Sequence, residues 1–144
     1  MLFSIAKPAS LILFASASLA FPSKHGATKC PDQRAFDDFV KTLYVEKEVD
    51  AAFNKYVSPT FVNHDPNLPA GTTEQAFLNE IFPNVNITLE RTLFQGDYGF
   101  VFIVVDGAPA PNDTSEIMDL WRIKDGKMQE LWESLETLPA GFSI

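Results

Sequence analysis

Apolar residues in the first half of the chain recur every three or four positions, which is the spacing of amphipathic helices. Three such stretches are present. The first opens at Pro31, Pro59 stops the second, and the third has a predicted capping box of Thr72 and Gln75 and ends at Pro83. Their apolar stripes are Phe36, Phe39, Val40, Leu43 and Tyr44; Val49, Ala52, Phe53, Tyr56 and Val57; and Phe77, Leu78, Ile81 and Phe82.

In the second half, the hydrophobic period changes from that of a helix to that of a strand. Apolar and polar residues alternate over 85–93, Gly96-Asp97 forms a predicted turn, and Tyr98 to Val105 is almost wholly apolar. We expect this last strand to be buried on both faces, with a second subunit over its outer side. With a short extended segment over 60–64, the order is helix, helix, strand, helix and four antiparallel strands. This order predicts an α+β fold in which three helices pack on a curved antiparallel sheet.

The clearest local signal is a β-hairpin between Ile117 and Glu133 with Asp125-Gly126 at its turn. Uninterrupted pairing would place Trp121 opposite Glu130 and Asp119 opposite Trp132. Because side chains alternate along a strand, one face would carry Ile117, Asp119, Trp121, Ile123, Met128, Glu130 and Trp132. A shift of one residue would break this assignment.

Asp119 is the first catalytic candidate, because a carboxylate on an otherwise apolar face is costly to bury when charged. In an apolar pocket its pKa should rise, which suits moving a proton on carbon next to a carbonyl group. Alternatively, Asp119 lies on the surface or forms an ion pair with Arg91 or Arg122.

His64 is the second catalytic candidate and the only histidine in the predicted domain. Neutral imidazole can donate to a substrate carbonyl or take a proton near neutral pH. Alternatively, His64 caps the turn at Asp65-Pro66. The predicted ligand-binding wall consists of Phe61, Phe102, Trp121, Glu130 and Trp132. The aromatic members of this set suit an ordinary core equally well.

Two parts of the sequence carry a resemblance to a known family. One is the segment Phe61-Val62-Asn63-His64-Asp65-Pro66 with the later Gly71; the other is Asp119-Leu120-Trp121-Arg122, Asp125-Gly126-Lys127 and Glu130-Leu131-Trp132-Glu133. The chain resembles the SnoaL-like polyketide cyclases, within the nuclear transport factor two-like, ketosteroid isomerase-like superfamily. That family typically has Gln-His-Asn-Pro in the first part. In the second it has Asp, two apolar residues and Arg, then Asp-Gly-Lys, then Glu-His-Trp-Asp.

The resemblance implies a cone-shaped α+β barrel that is often dimeric, and members that include cofactor-independent cyclases. The chain departs from the pattern at four positions: Asn63, Asp65, Leu131 in place of His and Glu133 in place of Asp. In the predicted register, Leu131 and Glu133 face away from the pocket. In another register, a catalytic imidazole would be missing.

The N-terminus has the features of a secretory signal peptide. A charge at Lys7 precedes an apolar run, and Ser18-Leu19-Ala20 supplies small residues for cleavage after Ala20. In a secreted chain, the sequons at Asn112 and Asn86 become glycosylation sites. The predicted organisation is a signal peptide over 1–20, a flexible leader over 21–30, a SnoaL-like domain over 31–139 and a tail over 140–144.

Composition argues against several classes of partner. The net charge is −8 with scattered Lys and Arg, which does not suit nucleic acid or an anionic membrane surface. The single cysteine, Cys30, excludes an internal disulfide and leaves a free thiol or an intermolecular bridge. The sequence has neither clustered zinc ligands nor a Gly-rich phosphate loop, so no metal or cofactor is predicted.

Three hypotheses follow. The first is a secreted cyclase, isomerase or dehydratase that acts on a small hydrophobic carbonyl compound. The second is a secreted ligand-binding protein that has the pocket without the chemistry, and the third is an interaction protein. Secretion weighs against the first, because biosynthetic cyclases usually work inside cells. In each case we expect a homodimer formed through the sheet.

The protein recovered from culture medium should begin at Phe21, because the predicted signal ends at Ala20. N-terminal sequencing checks this, and an intact Met1 on a cytosolic protein would contradict it. In a glycosylating host, Asn112 should carry a glycan that an endoglycosidase removes and that Asn112→Gln abolishes.

Overall fold

The computed structural model describes residues 29–108, 110 and 112–138. The predicted signal peptide, the C-terminal tail and all of the leader except Lys29 and Cys30 lie outside these residues. The elements are α1 (Pro31–Val40) with a π-helical turn (Lys41–Val45), α2 (Val49–Tyr56), β1 (Val57–Asn63), α3 (Glu74–Ile81) with a 3-10 turn (Phe82–Asn84), β2 (Asn86–Gln95), β3 (Tyr98–Asp106), β4 (Thr114–Lys124) and β5 (Lys127–Thr137). Over the described ranges, no helix is both long and apolar enough to span a membrane.

The predicted order of elements and the α+β class are confirmed. The five strands form one sheet in the order β1-β5-β4-β3-β2. Strands β2 to β5 are antiparallel neighbours, whereas β1 pairs in parallel with β5. The sheet is therefore mixed, not wholly antiparallel as predicted. A parallel pair needs a long connection, and α3 with three strands lies between β1 and β5.

Two helix boundaries differ from the prediction. Helix α2 ends at Tyr56, and Pro59 lies inside the edge strand β1, where a missing N–H is tolerated. The cap of α3 is Thr73, whose Oγ1 accepts from the N–H of Ala76 at 3.3 Å. The predicted capping residue, Thr72, precedes the cap.

The helices cover one face of the sheet, which we call the inner face. Phe36 and Phe39 of α1 are fully buried there. The ring of Phe39 meets that of Trp121 edge-on at a centroid distance of 4.8 Å, and the ring of Phe61 stacks on that of Trp121 at 5.8 Å. Trp121 is therefore a core residue and Phe61 is half-buried against the core, which was the alternative left open for them.

The β4–β5 hairpin has the predicted turn. Asp125 and Gly126 have φ angles of 53° and 73°, which matches the left-handed conformation of a tight hairpin turn. Lys124 pairs with Lys127, and Ile123 pairs with Met128.

Beyond these two pairs, the predicted hairpin register is wrong. Arg122 pairs with Glu130, so Gln129 is an extra residue that forms a β-bulge. The bulge moves the rest of β5 by one position, and Asp119 pairs with Glu133 instead of Trp132. Every later side chain of β5 consequently exchanges faces.

Strand β3 is fully buried on one face only. Val101, Ile103 and Val105 are buried, whereas Phe100 and Phe102 on the opposite, outer face are half-buried. The outer face also exposes large apolar side chains at Tyr98, Met118 and Leu120. The predicted burial of both faces is thus not present within the single chain, and the second subunit remains a prediction.

Gly99→Ala should lower the free energy of unfolding by about 1–3 kcal/mol, the usual cost of overpacking a core. The reason is that an added Cβ would lie 2.3 Å from Cε2 of Phe36. Urea denaturation measures the change. In a double-mutant cycle with Phe36→Leu, the two costs should be less than additive, because the shorter side chain makes room; strictly additive costs would contradict a direct clash.

Candidate functional site

A cavity of about 300 Å³ lies between α3 and the inner face of the sheet. This volume is at the lower end of the range for small-molecule sites. Apolar side chains form most of its wall, among them Phe77, Leu78, Ile81, Ile103, Val105 and Ile117. The polar side chains that line it are Tyr44, Asn67, Glu74, Asp119 and Glu133. Asn67 and Leu135 are exposed, so they mark where the cavity meets solvent.

Asp119 is buried in the middle of β4, with 4% of its surface exposed. Its Oδ2 accepts a hydrogen bond from the hydroxyl of Tyr44, and that hydroxyl accepts one from Nε1 of Trp121 at 3.1 Å. Its other oxygen, Oδ1, is buried, and no N–H or hydroxyl donor in the part of the chain that the structure describes reaches it. The structure excludes the surface and ion-pair alternatives for Asp119, because Arg122 pairs with Glu130 and Arg91 is exposed. One oxygen of a buried carboxylate is thus fixed by Tyr44, and the carboxyl of Glu133 lies close enough to share a hydrogen bond with Asp119.

Two further carboxyl groups line the cavity beside Asp119. Glu133 is its cross-strand partner on β5, and Glu74, the first residue of α3, is 5% exposed. The amide of Asn63 donates to Oε2 of Glu74 at 2.8 Å, and its oxygen accepts from the N–H of Asp65 at 2.7 Å. Asn63 therefore links Glu74 to the start of the loop after β1.

These groups have strongly raised pKa values. Burial raises the pKa of Asp119 to about 7, although the hydrogen bond from Tyr44 opposes this change. Burial and the charge of Asp119 raise the pKa of Glu74 to about 7 and that of Glu133 to about 9. At neutral pH, Glu133 holds its proton while Asp119 is close to half-ionised. Two carboxyl groups with separated pKa values can act as an acid and a base.

His64 lies on the outer face, away from Asp119. Its Nε2 is 3.0 Å from Oε2 of Glu130, and its ring stacks on Trp132 at a centroid distance of 4.7 Å. Arg122 Nε donates to Oε1 of Glu130 at 2.6 Å, and the bonds from His64 and Arg122 lower the pKa of Glu130. The turn at Asp65 is held by Asn63, so the alternative capping role of His64 is not seen.

The predicted pocket positions of His64, Glu130, Trp132 and Phe102 are therefore wrong. The bulge at Gln129 turns Glu130 and Trp132 outward. His64 follows the inward-facing Asn63, so alternation sends it to the other face. Phe102 lies on the outer side of β3, between the buried Val101 and Ile103.

Four of the five polar side chains that line the cavity were not among the predicted site residues: Tyr44, Asn67, Glu74 and Glu133. Tyr44 was assigned to an apolar stripe, where its hydroxyl carried no signal. Glu133 was assigned to the outer face, although it occupies the position at which the resembled family has Asp. Glu74 begins a helix, where acidic residues are common and usually solvated, so no sequence feature distinguished it.

No group of three His, Cys, Asp or Glu side chains in residues 29–108, 110 and 112–138 has the spacing to hold a metal ion. Cys30 is exposed and caps α1, with its Sγ accepting from the N–H of Gln33 at 3.4 Å. Asn86 and Asn112 are also exposed.

No known family pattern matches the sequence, and no curated protein matches it. Solved structures do match the fold. A SnoaL-like protein from Jannaschia sp. CCS1, provisionally named a polyketide cyclase, has a TM-score of 0.58 and 19% identity over 77% of this chain and 92% of its own. A protein from Acidithiobacillus ferrooxidans with the same provisional name has a TM-score of 0.57 and 16% identity over 77% and 92%. One from Bacillus cereus ATCC 10987, again provisionally named a polyketide cyclase, has a TM-score of 0.57 and 23% identity over 74% of each chain.

These likenesses confirm the resemblance at the level of the fold. The chain has the α+β cone fold of SnoaL-like proteins. At these identities they show the fold alone.

The free energy of unfolding should fall as pH rises from about 4 to about 9, because the raised carboxyl pKa values mean that the folded state holds more protons than the unfolded state. Glu133→Gln should flatten this slope and stabilise the protein at pH 8 by on the order of 2 kcal/mol. Urea titrations between pH 5 and 9 measure both effects. Glu136→Gln is the matched control, because it removes an exposed carboxyl from the same strand; an equal effect of the two variants would contradict the assignment.

Proposed function

We propose that this is a secreted protein whose cavity binds a small hydrophobic carbonyl compound, on which Asp119 moves a proton next to the carbonyl. The reaction would be of the cofactor-independent cyclase, isomerase or dehydratase type. The observation that carries the proposal is the buried carboxyl of Asp119 beside that of Glu133 at the wall of an apolar cavity.

The contacts of Asp119 suit a base. Tyr44 holds Oδ2, and Trp121 holds the hydroxyl of Tyr44, so the carboxylate keeps one orientation. A pKa of about 7 lets Asp119 exchange a proton near neutral pH, where general acid–base catalysis is most efficient.

Glu133 suits the role of carbonyl donor that was predicted for His64. With a pKa of about 9, its carboxyl holds a proton and can donate a hydrogen bond to a carbonyl oxygen. It faces the same cavity as Asp119, whereas His64 does not. A donor and a base on one cavity wall are what enolisation of a ketone requires.

The fold supports the same class of reaction, since several solved structures that share it are provisionally named polyketide cyclases.

The proposal that the protein is secreted rests on the predicted signal peptide over 1–20, and the proposed glycans rest on the exposed Asn86 and Asn112. A homodimer through the outer face is supported by the exposed Leu93, Tyr98, Met118 and Leu120.

One observation favours a non-catalytic alternative. Leu131 stands where the resembled family has His, and it is buried next to the sheet's inner core with 1% exposure. The inner face of β5 therefore carries no imidazole at this position. A secreted ligand-binding or interaction protein that keeps the cavity without turnover is the second candidate.

Asp119→Asn should reduce proton transfer about a hundredfold or more, the scale of general acid–base catalysis. Because the substrate is unidentified, the assay follows deuterium uptake from heavy water at the carbon beside the carbonyl, in a panel of small hydrophobic ketones. Mass spectrometry reads the uptake, and thermal unfolding verifies that the variant folds.

Glu136→Gln is the control and should match the wild-type rate. A ketone that binds without catalysed exchange, with equal affinity for wild type and Asp119→Asn, would favour the binding protein. Binding of no ketone at all would contradict the proposed function.

A further inference from the structure

The polar end of the cavity is acidic without a compensating cation. Glu74, Asp119 and Glu133 line it, and Asp65 is close enough for its charge to raise the pKa of all three. No Lys, Arg or His is present among the described residues of the lining. Three carboxyl groups from α3, β4 and β5 thus line a single cavity, and the charge of a fourth, on the loop after β1, acts on all of them.

The other groups that face this cluster do not neutralise it. Tyr44, on the π-helical turn, donates its hydroxyl proton to Asp119 but carries no charge, since burial raises its pKa well above the ordinary value. Lys47 comes close to the cavity wall, but its Nζ donates to the backbone carbonyls of Phe82 and Val85 at 3.3 and 2.6 Å. Asn63 supplies only a neutral amide to Glu74.

Without a ligand, such a cluster lowers the stability of the fold, because each carboxyl is desolvated and ionised carboxyls repel one another. Some of the cost is avoided when the carboxyls keep their protons. The burial of Asp119 is a separate indication, since no N–H or hydroxyl of the described residues reaches its Oδ1 and the carboxyl of Glu133 is the neighbour that shares a hydrogen bond with it. A ligand that supplies N–H donors and a positive charge would satisfy both requirements.

We propose that the cavity takes a hydrophobic amine, a small apolar molecule whose ammonium group lies among the carboxyl groups of Asp119, Glu74 and Glu133. The apolar body would lie along the wall formed by the α3 and β3 side chains. The assignment rests on the cavity of the proposed function and specifies its ligand as a carbonyl compound that also carries a basic nitrogen. It does not depend on whether the cavity catalyses a reaction.

The surroundings distinguish an amine from other ligands. An anion would meet three carboxyl groups and no cationic side chain among the described lining residues, so it is disfavoured. A shared metal ion does not suit the cluster, since no three acidic or other ligating side chains in the described ranges are suitably spaced. A neutral ligand would leave the carboxyls to be satisfied by protons alone. An ammonium makes charge-assisted hydrogen bonds with them, which are the stronger kind.

The test uses three probes with the same apolar body: 4-phenylbutylamine, 4-phenylbutan-1-ol and 4-phenylbutanoic acid. Isothermal titration calorimetry on the full secreted chain at pH 8 should give a Kd for the amine about tenfold below that of the alcohol, as expected for one charge-assisted bond. The acid should bind at least about tenfold more weakly than the alcohol.

The pH profile provides an independent readout. The affinity for the amine should rise between about pH 6 and 9, because Asp119, Glu74 and Glu133 lose their protons over this range. The affinity for the alcohol should not rise, because it gains nothing from the ionised carboxyls. A rise of both in parallel would mean that pH acts on the fold and would overturn the proposal.

Variants locate the site. Glu133→Gln and Asp119→Asn should each remove most of the preference for the amine over the alcohol. Glu136→Gln, which removes an exposed carboxyl from the same strand, should leave the preference unchanged. Loss of the preference in the control would place the amine on the acidic surface instead of in the cavity and overturn the proposal.

The outcomes separate this proposal from the proposed function. If the alcohol binds as tightly as the amine, the amine assignment fails while the cavity and its chemistry can stand. If the amine binds preferentially but no ketone undergoes deuterium exchange, the amine assignment stands and the enzymatic function fails. If none of the three probes binds, the amine assignment fails.

Discussion

The hydrogen bond from Tyr44 to the buried carboxylate of Asp119 is the contact on which the rest of the site depends. It joins the helical layer to the centre of the sheet, and Trp121 completes it by donating to the same hydroxyl. Trp121 is in turn packed against Phe39 and Phe61. The polar chain is thereby surrounded by aromatic core, which excludes water and raises the pKa of Asp119. The same packing that stabilises the fold thus creates the chemistry of the cavity.

A single extra residue, Gln129, determines which side chains reach that cavity. Because of the bulge, Leu131 and Glu133 face inward, while Glu130 and Trp132 face outward and meet His64. The two faces consequently have different character. The inner face carries the buried carboxyl groups of the cavity. The outer face carries an aromatic and ion-paired cluster that includes Arg122.

Most of the fold could be predicted from the sequence, because its elements depend on short-range patterns. The helical stripe from Phe36 to Tyr44 and the turn at Asp125-Gly126 are local features, and both were correct. The site could be predicted only in part. Asp119 was identified from its place on an apolar strand. No residue type near Gln129 predicts the β-bulge there. Tyr44 and Glu74 join the site through tertiary contacts, which periodicity cannot reveal.

The sequence separation within the site has a consequence for the order of folding. Tyr44 and Asp119 are 75 residues apart, and Tyr44 and Trp121 are 77 apart, so no local segment can assemble the polar chain. The edge strand β1 likewise finds its neighbour only in β5, the last strand of the sheet. Contacts of such high sequence separation form late and slow the overall rate. A nascent chain whose β4 and β5 have not yet been synthesised can therefore form its helices. Its acidic residues remain hydrated and fully charged until the C-terminal hairpin packs against the rest of the fold.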